Sequence, residues 1–132
     1  MLQKVLFIDD DKPTNIINER LAQRSNSFKD IKVCINSAKA LNYLTEVVKN
    51  NGVYPDLIFL DINMPALNGW EFLDAFKELK LLKKIKIVML STADNITQTQ
   101  IERYKEVVSC YETKPLSLDK IKQHVSVLGC AN

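Results

Sequence analysis

A chain of 132 residues fits one domain, and at 46% hydrophobic and 26% charged it can bury a core beneath a charged surface, which excludes disorder as its main state. A net charge of +2, from 18 basic and 16 acidic residues, makes no electrostatic case for a nucleic-acid or membrane partner. Three scattered glycines, Gly52, Gly69 and Gly129, cannot build a GxGxxG or Walker loop.

Short apolar runs alternate with longer amphipathic stretches. The run Val5–Ile8 reads as a strand and leads into Asp9-Asp10-Asp11; Pro13 then suits the first turn of a helix reaching about Arg24, with Ile17 and Leu21 at i,i+4 spacing. Ile31–Ile35 reads as a second strand. Ser37, a candidate N-cap, opens a helix to Asn50 with Leu41, Leu44 and Val48 on one face. Leu57–Leu60 is a third strand ending at Asp61. A loop through Asn63-Met64-Pro65 to Gly69 follows, where Gly69 answers a tight backbone position, and then a helix with Phe72, Leu73, Phe76 and Leu79.

Ile87–Leu90 is a fourth strand ending at Ser91, followed by a notably polar helix from about Asn95 to Val107. Cys110–Thr113 is a weaker fifth strand before Lys114-Pro115, and the last helix aligns Leu118, Ile121, Val125 and Leu128. Strands that are continuously apolar belong to sheets covered on both faces. Five strand–helix rounds with right-handed crossovers make an α/β parallel sheet between helix layers, expected as one domain over 1–132 without an output domain.

Cys34, Cys110 and Cys130 form no CxxC or Cys/His cluster and read as reduced thiols. The apolar stretch at the N-terminus is too short for a signal peptide, and no run approaches a membrane span, so a cytoplasmic protein is expected. His124 reads as a surface residue rather than a phosphodonor, and the basic stretch Lys77–Lys86 as a solvated helix end and loop.

The informative polar residues stand at strand ends: Asp9 and Asp10, Asp61, Ser91 and Lys114. In a parallel sheet these ends share one edge, where open α/β sheets bind ligands. Three carboxylates there repel one another unless a cation neutralises them, and oxygen ligands suit Mg²⁺. A carboxylate beside such a cation can attack phosphorus, with the hydroxyl and the ammonium binding the other phosphoryl oxygens.

The segments Phe7-Ile8-Asp9-Asp10-Asp11, Leu60-Asp61-Ile62-Asn63-Met64-Pro65, Asn68-Gly69-Trp70, Met89-Leu90-Ser91 and Thr113-Lys114-Pro115 strongly resemble the receiver domains of two-component response regulators. The resemblance covers about Val5 to Leu128. It implies the flavodoxin-like three-layer (βα)5 sandwich with strand order 2-1-3-4-5. It implies Asp61 as the phosphoacceptor, Asp10 as a direct Mg²⁺ ligand, Asp9 acting directly or through water, and Asn63 lending its backbone carbonyl. Ser91, rather than the adjacent Thr92, matches the phosphoryl-contacting hydroxyl, and Lys114 the lysine paired with it. Tyr111 matches the aromatic switch position, and Asn63 and Ala93 lie near the attacking-water path. Val108-Ser109-Cys110 departs from the glycine or alanine that many members carry before that aromatic.

The implied function is a stand-alone receiver that takes a phosphoryl group from a histidine kinase or histidine phosphotransfer protein. It then switches a partner-binding surface made of the fourth helix, fifth strand and fifth helix, as a monomer or weak dimer. Two rivals stand beside it. One is an aspartate-nucleophile phosphohydrolase of haloacid-dehalogenase type, with Asp9 as nucleophile; Pro13 breaks its motif and Asp61 has no role in it. The other is a degenerate receiver that binds without phosphorylation, although all five key residues are present.

Overall fold

The computed structural model describes residues 2–81, 84–92 and 96–130. Five strands and five helices alternate: β1 (Leu2–Ile8), α1 (Lys12–Ser25), β2 (Phe28–Cys34), α2 (Ser37–Lys49), β3 (Leu57–Asp61), α3 (Gly69–Lys77), β4 (Lys86–Ser91), α4 (Gln98–Arg103), β5 (Cys110–Thr113) and α5 (Leu118–Cys130). All strand pairs are parallel, in the order β2-β1-β3-β4-β5. This is the expected flavodoxin-like sandwich.

Side chains alternate faces along a strand, so each apolar strand feeds two cores. Leu6, Ile8, Ile58, Leu60, Ile87 and Met89 pack beneath α2 and α3. Val5, Phe7, Leu57, Phe59, Val88 and Leu90 pack with Ala22 of α1 and Ile121 of α5. That double demand is why β1 from Val5 onward, β3 and β4 carry no polar alternation, whereas the edge strand β2 exposes Lys29, Asp30 and Lys32.

Several local expectations change. The N-cap of α2 is Asn36, whose side chain accepts from the Lys39 N–H, so Ser37 lies inside the helix and is buried. Ile17 of α1 is more than half exposed, and the buried face is Asn15, Asn18 and Ala22. The cause is the site: the Asn15 side chain donates to the Asp9 carbonyl at 2.7 Å, turning a polar face inward. His124 is buried, not on the surface. It stands three residues after Ile121 on the sheet-facing side of α5, its ring edge against Phe59 and its Nε2 3.1 Å from Glu112 Oε1. A polar partner makes that burial tolerable.

The fourth helix is shorter than expected. It runs from Gln98 to Arg103 under a Thr97–Gln100 capping box, and none of its residues is buried. Tyr104 and Val107 beyond it are buried, whereas Asn95, the expected start, lies outside the described residues. The last helix buries Ile121 and packs Val125 partly, and Leu128 lies outside the described side chains. Despite its unusual lead-in, β5 starts normally, anchored by the Ser109 N–H donating to the Ile87 carbonyl at 2.9 Å. Among the described residues, no helix is long and apolar enough to cross a membrane.

Two positions in the β3–α3 loop show how tightly it is built. A Cβ on Gly69 would stand 2.8 Å from the Asp61 carbonyl and 2.9 Å from Ile62 Cα, so only glycine lets α3 start against the end of β3. Ala66 has φ 66°, a left-handed conformation that costs an L-residue about 1–2 kcal/mol. Replacing it should relieve that cost, offset in part by the freedom glycine gains when unfolded. Ala66→Gly is expected to raise stability by about 0.5–1 kcal/mol in urea denaturation.

Candidate functional site

The register of the sheet builds the site. Ile8 lies beside Leu60, so the next residues, Asp9 and Asp61, emerge side by side from adjacent strands. The alternation also puts them on the face of Phe7 and Phe59, whose paired rings stack at 5.3 Å directly below. One strand further, Asp61 lies beside Leu90, the residue before Ser91, and Ser91 lies beside Thr113, the residue before Lys114. The Lys114 N–H donates to the Ser91 carbonyl at 2.7 Å.

Lys114 joins the two buried carboxylates. Its Nζ lies 2.9 Å from Asp9 Oδ2 and 3.0 Å from Asp61 Oδ1. The other Asp9 oxygen accepts the Asp11 N–H at 3.0 Å, while Asp11 caps α1 through the Thr14 N–H. Asp11 thus serves the helix, and Asp9 and Asp10 are left for the site. Asp10 is exposed, yet Asp9, Asp10 and Asp61 each offer an oxygen within 4.8 Å of the others.

The electrostatics are unbalanced. Burial, and then the neighbouring Asp9 carboxylate, push the Asp61 pKa above the usual carboxylate value, against the pull of Lys114 and the Asn63 N–H. Burial also works against the Lys114 charge, but its hydrogen bonds to Asp9 and Asp61 outweigh this and raise its pKa. One ammonium therefore faces three carboxylates. Hard oxygen donors with excess negative charge are the donor set that suits a small divalent cation. The residues present fit Mg²⁺.

Ser91 is buried at the end of β4, whereas Thr92 is exposed. Asn63 is exposed two residues after Asp61, and Ala93 lies outside the described residues. Tyr111 stands on β5 below Lys114, half-buried, with its ring 6.5 Å from Trp70. Its hydroxyl is buried without a hydrogen-bond partner among the described residues. Such an oxygen is costly, so Tyr111→Phe is expected to stabilise the protein by about 1 kcal/mol in urea unfolding.

Some contributors were not anticipated from sequence. Asn15 supports Asp9 from α1, and its signal was the polar i,i+3 pair with Asn18. Tyr104 packs on Trp70 with ring centres 5.0 Å apart and donates its hydroxyl to Asp74 at 3.0 Å, tying the end of α4 to α3. No local pattern announces that pair.

The chain resembles known proteins along nearly its whole length. It is 29% identical to response regulator Rcp1 of Synechocystis over 86% of this chain and 78% of that one. It is 30% identical to transcriptional regulatory protein CitT of Halalkalibacterium halodurans over 94% of this chain, and spans about half (51%) of that protein. The solved structure of a two-component response regulator from Cytophaga hutchinsonii superposes with a TM-score of 0.83 at 28% identity, covering 97% of this chain and 98% of the other. The family model of the response regulator receiver domain matches residues 5–126, which displaces the phosphohydrolase reading of Asp9. A strand-end cluster of Asp9, Asp61, Ser91 and Lys114 on a 2-1-3-4-5 sheet, with that match, means the chain belongs to the receiver domain family of two-component response regulators.

Proposed function

We propose that this receiver accepts a phosphoryl group on Asp61 from the phosphohistidine of a histidine kinase or histidine phosphotransfer protein. The observation that carries the reading is the single Lys114 ammonium shared by the buried Asp9 and Asp61 carboxylates beside exposed Asp10. Asp10, Asp61 and the Asn63 carbonyl would hold Mg²⁺, with Asp9 joining directly or through water. Bound there, the ion would screen the repulsion between a carboxylate and an anionic phosphoryl group.

An Asp61 carboxylate oxygen attacks phosphorus, the phosphorus–nitrogen bond of the donor breaks, and the imidazole leaves with the bonding pair. Lys114 and Ser91 bind the equatorial oxygens as the charge moves onto Asp61. The modification adds roughly −1.5 to −2 charges at the sheet edge. Drawing Ser91 and Lys114 toward it biases the ends of β4 and β5, and so the α4-β5-α5 face, where a downstream protein would dock. That α4 buries none of its residues supports its being the movable part. Acetyl phosphate with Mg²⁺, read by intact mass, tests the reading: no adduct on the wild-type protein would overturn it.

A further inference from the structure

Lys120 stands in the first turn of α5, where the positive end of a helix disfavours a cation. Its ammonium is nonetheless committed there. Lys120 Nζ donates to the Thr113 carbonyl at 2.9 Å and to the Pro115 carbonyl at 3.1 Å, the residues on either side of Lys114. It also lies 3.7 Å from Glu112 Oε2. The other Glu112 oxygen lies 3.1 Å from His124 Nε2, and the His124 ring rests on Phe59 of β3, two residues before Asp61. The Lys120 N–H is itself anchored to Ser117 Oγ at 3.1 Å.

We propose that Lys120 is a positioning residue for Lys114, clamping the two carbonyls that flank it so that its ammonium meets Asp9 and Asp61. This rests on the phosphoacceptor reading above. Lys114 carries a long, flexible stem, and the path of the backbone from Thr113 to Pro115 sets the direction in which that stem leaves the chain. Holding the Thr113 carbonyl, in the peptide plane that enters Lys114, and the Pro115 carbonyl, one peptide beyond the plane that leaves it, from a single point restrains that direction. Glu112 and His124 in turn hold the clamp against β3, so the ammonium and the acceptor carboxylate are referenced to the same strand.

The test is the rate of Asp61 phosphorylation by acetyl phosphate at saturating Mg²⁺, followed by intact mass. Lys120→Ala and Lys120→Met are expected to slow it about tenfold, since small misplacements of a charge-compensating group are costly. Lys120→Arg should return the rate to within about twofold, because a guanidinium can donate to both carbonyls. In a Lys114→Ala background, Lys120→Met should cause no further loss. Should Lys120→Ala not fold, Lys120→Met and Lys120→Arg decide the matter, since both keep the aliphatic stem. A wild-type rate in Lys120→Met, or the same loss with and without Lys114, overturns the proposal while leaving Asp61 as acceptor. A wild-type protein that is never labelled overturns both.

Discussion

Incubated with Mg²⁺ and acetyl phosphate, the wild-type protein is expected to gain one phosphoryl group by intact mass, and Asp61→Asn none. Chelation should suppress the adduct, and Asp9→Asn should keep it at a rate lower by roughly tenfold or more. The asymmetry follows from position. Both carboxylates are buried, both touch Lys114 and each accepts the N–H two residues on, but Asp9 is also fixed from α1, whose Asn15 side chain donates to its carbonyl. An adduct that survives Asp61→Asn and disappears in Asp9→Asn would overturn Asp61 as the acceptor.

The same variant carries a stability signature. The native pKa of Asp61 is raised above its unfolded value of 3.8 by burial and by Asp9. Its contribution is therefore fully present below that unfolded value and is lost as pH rises through the raised native one. At neutral pH the ionised group costs stability without a metal, and Asp61→Asn removes that cost. Thermal melts in chelator should show Asp61→Asn above wild type by on the order of 3 °C at neutral pH, with the curves converging below the unfolded pKa. Mg²⁺ should raise the wild-type melting temperature and leave Asp61→Asn nearly unmoved.

Removing the ammonium should act in the opposite sense. Lys114→Met leaves two buried carboxylates and exposed Asp10 without their positive partner. Breaking a buried ion pair from one side is strongly destabilising; because Lys114 keeps some exposure, the expected loss at neutral pH is about 2–4 kcal/mol in urea unfolding. That deficit should shrink as pH falls and Asp61, whose pKa is raised by burial and by Asp9, protonates, and Mg²⁺ should restore part of it. Phosphorylation should be slowed by two orders of magnitude or so, since the ammonium compensates charge that develops in the transition state. A neutral-pH stability equal to wild type would mean that Lys114 is not the counter-ion of this site.

Much of this was legible along the chain because two physical signals coincide. Continuous apolar runs mark strands covered on both faces, and the first polar residue after each run must lie at the sheet edge; both follow from side-chain alternation and burial. Asp9, Asp61 and Ser91 were found that way, whereas Lys114 follows the weaker strand Cys110–Thr113 and was placed by its position before Pro115. Where a residue's role is set by what lies across from it, local pattern misled. Ile17 looked like a core position, but Asn15 and Asn18 face inward because α1 starts against the acidic edge. His124 looked like surface, since nothing near it in sequence names Glu112 and Phe59 as neighbours.

The order of elements, their apolar faces and the residues at the strand ends are properties of the sequence by itself, because each depends on interactions within a few residues. Pairing of distant elements decided the remainder. The parallel register sets Asp9 beside Asp61 over the stacked Phe7 and Phe59 rings, and the β4–β5 pairing brings Lys114 within reach of both carboxylates. The turn-back of Lys120 from α5 onto the Lys114 loop belongs to the same class. Such contacts join groups far apart along the chain, so they exist only once sheet and helices have closed around a common core.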